Sequence, residues 1–175
     1  MTAVASSVFT AAQFNTFIRD NLNETAPAKA TISGSYFVGV GPNQIAERQS
    51  VTDIVEDVET TTSTSYNDLA TVGPTVEVET GAFALVINTA DITNNTAGQS
   101  GRMTWEVSGA SSFAAEDFRA LRVTVPSTTG FGNIRASVTT AIGGLTPGMN
   151  TFTSKYRASG GTASFANRRL TVLAF

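Results

Sequence analysis

Between Thr10 and Leu22 the apolar residues Ala11, Phe14, Phe17, Ile18 and Leu22 recur at three- and four-residue spacing, the period of one helical face. Thr10 and Gln13 occupy the two positions of a capping box, in which the N-cap hydroxyl and the third-residue side chain satisfy backbone N–H groups that a first turn leaves unpaired. Phe9 and Phe14 stand at the two ends of a hydrophobic staple across that cap. The pattern predicts a short amphipathic helix, closed by a linker over 24–29 that contains Pro27. A helix of about three turns is marginal on its own in water. Its stripe must therefore dock on its own domain, on another copy, or on a larger assembly.

Beyond residue 30 the period changes from helical to two. Val76 and Val78 alternate with Glu77 and Glu79, Met103, Trp105 and Val107 with Thr104 and Glu106, and Leu121, Val123 and Val125 with Arg122 and Thr124. Such alternation marks half-buried strands. Further strands are predicted at 36–40, 45–49, 51–58, 66–70, 134–142, 150–158 and 164–175. The longer, more apolar run 82–92 reads as a central strand. Gly41-Pro42-Asn43, Gly73-Pro74, Gly143-Gly144, Pro147-Gly148 and Gly160-Gly161 supply the turns. The segment 111–118 is ambiguous and accommodates a helical turn. Eight or nine strands at near-regular spacing predict an all-β chain, a jelly-roll-like β-sandwich preceded by a short N-terminal α-helix. The expected division is a helical anchor and linker over 1–30 and the sandwich over 31–175. No repeat of 20–50 residues is visible in the sequence.

Composition narrows the chemistry. The 175 residues include no histidine and no cysteine, and threonine is the commonest type. These absences exclude disulfides, thiolate zinc sites, cysteine nucleophiles and the Ser-His-Asp triad. They leave a structural or binding protein as the expectation, with no enzyme activity and no cofactor. The net charge is −3, which argues against nucleic acid as a partner, and no apolar run is long enough to span a membrane as a helix. The first residues hold no basic segment followed by an apolar run, so no signal peptide is expected. Charge is unevenly spread: residues 1–100 carry −8 and residues 101–175 carry +5. Strands of the two halves interleave in a sandwich, so the opposed charges pair either across strands of one chain or between copies. Asp53, Glu56, Asp57, Arg168 and Arg169 are the candidate charge contacts between subunits.

Several groups of residues are candidates for chemistry. Asp53, Glu56, Asp57 and Glu59 offer oxygen ligands, but their spacing is not that of a calcium loop, and the expectation is an exposed, charged strand edge and no metal site. Glu77 with Glu79, and Glu116 with Asp117, are paired carboxylates of the kind glycosidases use, although alternate residues on one strand ordinarily form an exposed face. Trp105, Tyr66 and Tyr156 could stack sugars, as could loop aromatics near Phe113, Phe118 and Phe131; an alternating strand tryptophan more commonly belongs to a core. Gly130-Phe131-Gly132 precedes a strand rather than a helix and so lacks the N-terminus that cradles phosphate. The neighbours Arg168 and Arg169 point to opposite faces of a strand and make a poor nucleic-acid patch.

The segment VFTAAQFNTFIRDNLNETAP, residues 8–27, resembles the opening of virion structural proteins of tailed bacteriophages, especially those of actinobacteria. There a helix of the form T-A-x-x-[FWL]-N-x-x-[IVL]-R-D-N precedes a β-rich domain. The matching positions here are Thr10, Ala11, Phe14, Asn15, Ile18, Arg19, Asp20 and Asn21. The segments at 62–87 and 144–173 also look like the sandwich part of such proteins, and together the matches cover somewhat under half of the chain. The resemblance implies a non-enzymatic structural protein in a symmetric oligomer, often a trimer, on the virion. It leaves two placements open: capsid decoration, with the major capsid protein as partner, or a minor tail or tail-fibre component with host-surface glycans as partner. Phe9, Phe14, Phe17, Ile18 and Leu22 are the expected anchoring and oligomer contacts.

Overall fold

The computed structural model describes residues 8, 10–23, 29–126 and 134–175. The chain forms two compact units, Met1–Arg48 and Gln49–Phe175. The boundary differs from the expected division at residue 30, because a hairpin that reads as the start of the sandwich belongs to the first unit. Among the described residues its strands, β1 (Tyr36–Gly41) and β2 (Gln44–Arg48), pair only with each other. Asn43 turns the chain with φ of 57°, a left-handed conformation that asparagine tolerates.

The hairpin is tied to the segment before it by one carboxylate. Glu47 accepts the backbone N–H groups of Thr31 and Ile32, at 3.0 and 2.9 Å, and the hydroxyls of Thr31 and Ser35. The hydroxyls of Ser35 and Thr31, with the backbone N–H groups of Ile32 and Thr31, outweigh desolvation and hold its carboxyl down at about 2.

The second unit is the sandwich. One sheet has the order β5-β10-β7-β8 and the other β3-β11-β6-β9, with β4 beside β11. In the smaller sheet, β5 spans Thr75–Thr80, β7 Ser100–Gly109, β8 Leu121–Thr124 and β10 Gly148–Ala158. In the larger, β3 spans Ser50–Val55, β4 Glu59–Thr61, β6 Phe83–Asn94, β9 Ile134–Gly143 and β11 Ala163–Ala174. Every described pairing is antiparallel. Successive strands change sheets repeatedly, and the nine strands form the jelly-roll-like sandwich that the alternation predicts. β6 is central, between β11 and β9.

One predicted strand is absent. The segment 66–70 makes a single bridge, Asn67 to Tyr156, because here the chain follows the free edge of β10 beyond β5 one hydrogen bond at a time. The ambiguous stretch resolves into a loop ending in a 3-10 turn, Asp117–Arg119.

The inward-facing alternate residues fill two apolar clusters. Val76, Val86, Trp105, Phe152, Leu170 and Val172 belong to the first, and Ile92, Met103, Leu121, Tyr156 and Phe165 to the second. Trp105 meets Phe152 edge-on at 5.6 Å, and Tyr156 meets Phe165 at 5.0 Å. Trp105 and Tyr156 are fully buried, so neither is a sugar platform. Burial pushes the Tyr156 hydroxyl well above the usual phenol range, and the hydroxyl donates to the Gly73 carbonyl at 2.7 Å.

Arg168 corrects an expectation. It is not a contact between subunits but a wholly buried cation, 3.1 Å from Glu59 and stacked 5.4 Å from the Tyr156 ring. Asn167, with φ of 48°, sits where the pairing of β11 with β6 shifts register between Ala166 and Arg169. The shift sets which of the two adjacent arginines enters the core. Removing one partner of a buried pair leaves the other charge uncompensated, which typically costs about 3–5 kcal/mol. Glu59→Gln should therefore lower unfolding free energy by about that much in urea titration, and a loss under about 1 kcal/mol would show that Arg168 does not depend on Glu59.

The Glu47 clasp makes a second prediction. A carboxyl held lower in the folded state contributes above its ordinary value of 4.5 and loses that contribution as pH falls through about 2. The Thr31 and Ile32 amide resonances should shift with a midpoint near the lower value, and a midpoint near 4.5 would mean that the clasp is not formed.

Candidate functional site

The N-terminal helix runs as α1 (Ala11–Phe14), a π-helical turn over Asn15–Arg19, and α2 (Asp20–Asn23). The capping box is present in both directions. Gln13 N–H donates to the Thr10 hydroxyl at 3.2 Å, and Thr10 N–H donates to Gln13 Oε1 at 3.0 Å. The π turn holds more residues than an α turn, so the four-residue spacing of Phe14, Ile18 and Leu22 drifts less around the helix. No residue of α1 or of the π turn is buried. Phe14, Phe17, Ile18 and Leu22 keep 48%, 44%, 39% and 60% of their surface exposed. Phe9 lies outside the described residues. Arg19 pairs with Asp20 at 2.8 Å on the surface.

The charged candidates separate. Asp53 accepts the N–H of Thr75 at 2.7 Å and that of Ile54 at 2.8 Å, so its carboxylate links β3 to the first residue of β5. Glu59 turns inward to Arg168, and it also accepts the Thr71 N–H at 2.9 Å. Glu56, Asp57 and Arg169 remain exposed. Among the described residues no group of three or more acidic side chains is placed to hold a metal ion. Part of the charge asymmetry is resolved inside the chain, through Arg135 with Asp91 at 2.6 Å, Lys155 with Asp68 at 2.7 Å, and Arg168 with Glu59. Glu77 and Glu79 lie opposite Thr151 and Met149 on the exposed side of the smaller sheet.

That same outer face carries a cluster that no local pattern announces. Asp117 Oδ1 accepts the Tyr66 hydroxyl at 2.6 Å and Arg157 Nε at 3.0 Å, while its Oδ2 accepts a guanidinium N–H from both Arg102 and Arg157. Arg102 and Arg157 are opposed across β7 and β10, so without the carboxylate two like charges would face each other. Burial works to raise the Asp117 pKa, but the hydrogen bonds from Tyr66, Arg157 and Arg102 outweigh it and hold the carboxyl well below its usual range. Burial and the bond to Asp117 push the Tyr66 phenol up to about 12. Beside this cluster Arg119 is buried, 4.5 Å from the Trp105 ring and 4.9 Å from that of Phe118.

The cluster fastens the loop 111–120 to the sheet. Of the proposed sugar-stacking aromatics, Phe113 packs on the first core cluster, Phe118 is 77% exposed, and Phe131 lies outside the described residues. The signal for the clasp was the outward arginines of two alternating strands; Asp117, which joins them, sits in an irregular segment that alternation does not reach.

No protein-family model matches the chain, and no curated protein matches it. Among solved structures, it overlays the VP2 subviral particle of infectious bursal disease virus over 78% of its own length and 36% of that chain, with 12% identity and a TM-score of 0.49. It thus spans about a third of that protein. Eiger TNF from S. frugiperda overlays 73% of the chain and 94% of its own, at 11% identity and a TM-score of 0.45. A carbohydrate-binding module of Cellvibrio mixtus lichenase 5A, solved with cellotriose, overlays 86% and 94%, at 12% identity and a TM-score of 0.30. At these scores the overlays assign no role.

Replacing Asp117 with alanine should release the loop while leaving the sandwich folded. Because the carboxylate is partly exposed, the global loss should be about 1 kcal/mol. Amide exchange in 111–120 should accelerate about tenfold or more, and unchanged exchange would show that the clasp does not hold the loop.

Proposed function

We propose that the chain is a non-enzymatic structural protein of a bacteriophage virion surface, a trimeric capsid decoration protein attached through its N-terminal segment. The observation that carries this reading is the capped helix whose apolar stripe stays exposed. A helix this short gains little from propensity and is ordinarily stabilised by packing one face. The stripe therefore belongs at a contact, and it lies within the segment that resembles phage virion proteins. Burying the part of each large side chain that is still exposed would contribute about 1 kcal/mol, roughly half of what full burial is worth.

The partner under this reading is the major capsid protein. The alternative is a minor tail or tail-fibre protein that binds host-surface glycans. Phe118 favours it, as a largely exposed aromatic ring held from behind by Arg119. Loss of host adsorption in Phe118→Ala, with attachment to the particle intact, would select that reading.

The test is reconstitution on particles that lack the protein, followed by electron microscopy to place it on shell or tail. Replacing Phe14, Phe17, Ile18 and Leu22 together by serine should weaken attachment about a hundredfold or more, with the sandwich melting at an unchanged temperature. Undiminished attachment of that variant, or no attachment of the natural chain to either part of the particle, would overturn the proposal.

A further inference from the structure

The core of the sandwich is two apolar clusters rather than one, and on three strands the change between them falls at a polar residue. On β6 the inward residues Val86 and Ala90 belong to different clusters, with Asn88 between them. On β10 Ser154 stands between Phe152 and Tyr156, and on β11 Arg168 stands between Leu170 and Phe165. Arg168 and the Ser154 hydroxyl both lie beside the Tyr156 hydroxyl, so this polar seam reaches from the larger sheet to the smaller. Asn88 is 1% exposed, and Ser154 and Arg168 are wholly buried.

Much of the seam has no hydrogen-bond partner in the protein. Among the described residues, Asn88 Oδ1 and Nδ2, Ser154 Oγ, and Arg168 Nε and Nη2 make no hydrogen bond. Nor does Trp105 Nε1, whose residue stands opposite Ser154 on β7. Asn88 is the sharpest case. Its neighbours on the inner face are Val86 and Ala90 along the strand, Leu170 on β11 and Val138 on β9. None of the four carries a polar side chain. The amide, which both accepts and donates, must therefore find its partners in the layer between the sheets. Native interiors rarely leave such a group unpaired, because the cost is comparable to that of a lost hydrogen bond.

The chemistry of the seam selects what completes it. Glu59 already compensates Arg168 at 3.1 Å, so a further buried ion of either sign would stand unbalanced. An apolar guest would leave every one of these atoms unpaired. The unpaired atoms include donors, on Arg168, Trp105 and Asn88, and acceptors, on Asn88 and Ser154. A small neutral molecule that both donates and accepts answers both kinds. Space for it lies beside the short side chains of Asn88 and Ser154, between a cluster built on Trp105 and Phe152 and one built on Tyr156 and Phe165.

We propose that the seam is an internal hydration site, in which ordered water hydrogen-bonds to the Asn88 amide and links it to the Ser154 hydroxyl and the Arg168 guanidinium. Buried water of this kind commonly makes about three hydrogen bonds to groups that are otherwise unpaired. The site belongs to the sandwich itself and stands or falls separately from the function proposed above.

Oxygen-17 relaxation dispersion of the solvent, which counts water molecules held long inside a protein, tests the site. Asn88→Leu replaces the amide by an apolar side chain of similar size among apolar neighbours. It should lower the count by about one or more, with an unchanged circular dichroism spectrum. A folded variant with an undiminished count would overturn the inference. A crystal structure of the natural chain tests the same site without any variant. It should show a water oxygen about 3 Å from the Asn88 amide. Well-defined density with nothing bonded to that amide would overturn the inference. So would an anomalous peak in the seam after a bromide soak, which would mark an anion in place of water.

Discussion

A two-layer sandwich hides one side of each sheet and leaves the other side outside, and the architecture of this chain turns on how those two outer sides are treated. Inside, the alternate residues of β5, β6, β7, β10 and β11 meet around Trp105, Phe152, Tyr156 and Phe165 with almost no exposure. The burial of these large side chains is the main favourable term for the unit, which has no disulfide to assist it. Outside, the smaller sheet is finished with charge. Asp117 draws Arg102, Arg157 and Tyr66 together and folds the loop 111–120 against them. The larger sheet is finished with leucine, isoleucine and threonine, a surface suited to contact rather than to water.

Polar groups act at the joints of the sandwich. Asp53 joins the edge of one sheet to the start of a strand in the other, and Arg168 with Glu59 joins β11 to β4. The buried Arg168 charge must be paired, and both contacts favour one register that apolar packing alone would leave free to slip. The left-handed Asn167 serves the same end, setting which of two adjacent arginines faces the core.

Much of this fold was legible in the sequence because its signals are local. The capping box needs only Thr10 and Gln13, and the alternation Val76-Glu77-Val78-Glu79 states which side of β5 is buried. The run 82–92 reads as central because both faces of β6 are rich in apolar residues. That property hid the most informative surface: an apolar residue facing outward cannot be told from one facing inward by periodicity when both faces are apolar. Arg168 was misplaced for a related reason. Alternation assigns adjacent arginines to opposite faces, but the choice between them depends on Glu59, far away in sequence, and on the register shift at Asn167. The clasps made by Asp117 and Glu47 were missed because their partners come from distant strands or irregular segments. The boundary at residue 48 was missed because a hairpin pattern does not state which sheet it joins.

The helix stripe and the larger sheet's outer face are both apolar surfaces left exposed by the chain, and the account treats both as contact surfaces. The most direct measurement is methyl NMR of Leu85, Ile87 and Leu173 with a soluble paramagnetic agent, followed as protein concentration rises. The account predicts that these methyl groups lose their relaxation enhancement as the chains associate, while the outward, half-buried Thr151 methyl of the smaller sheet keeps its own. Equal enhancement of all four residues at every concentration, in a chain that does associate, would contradict it.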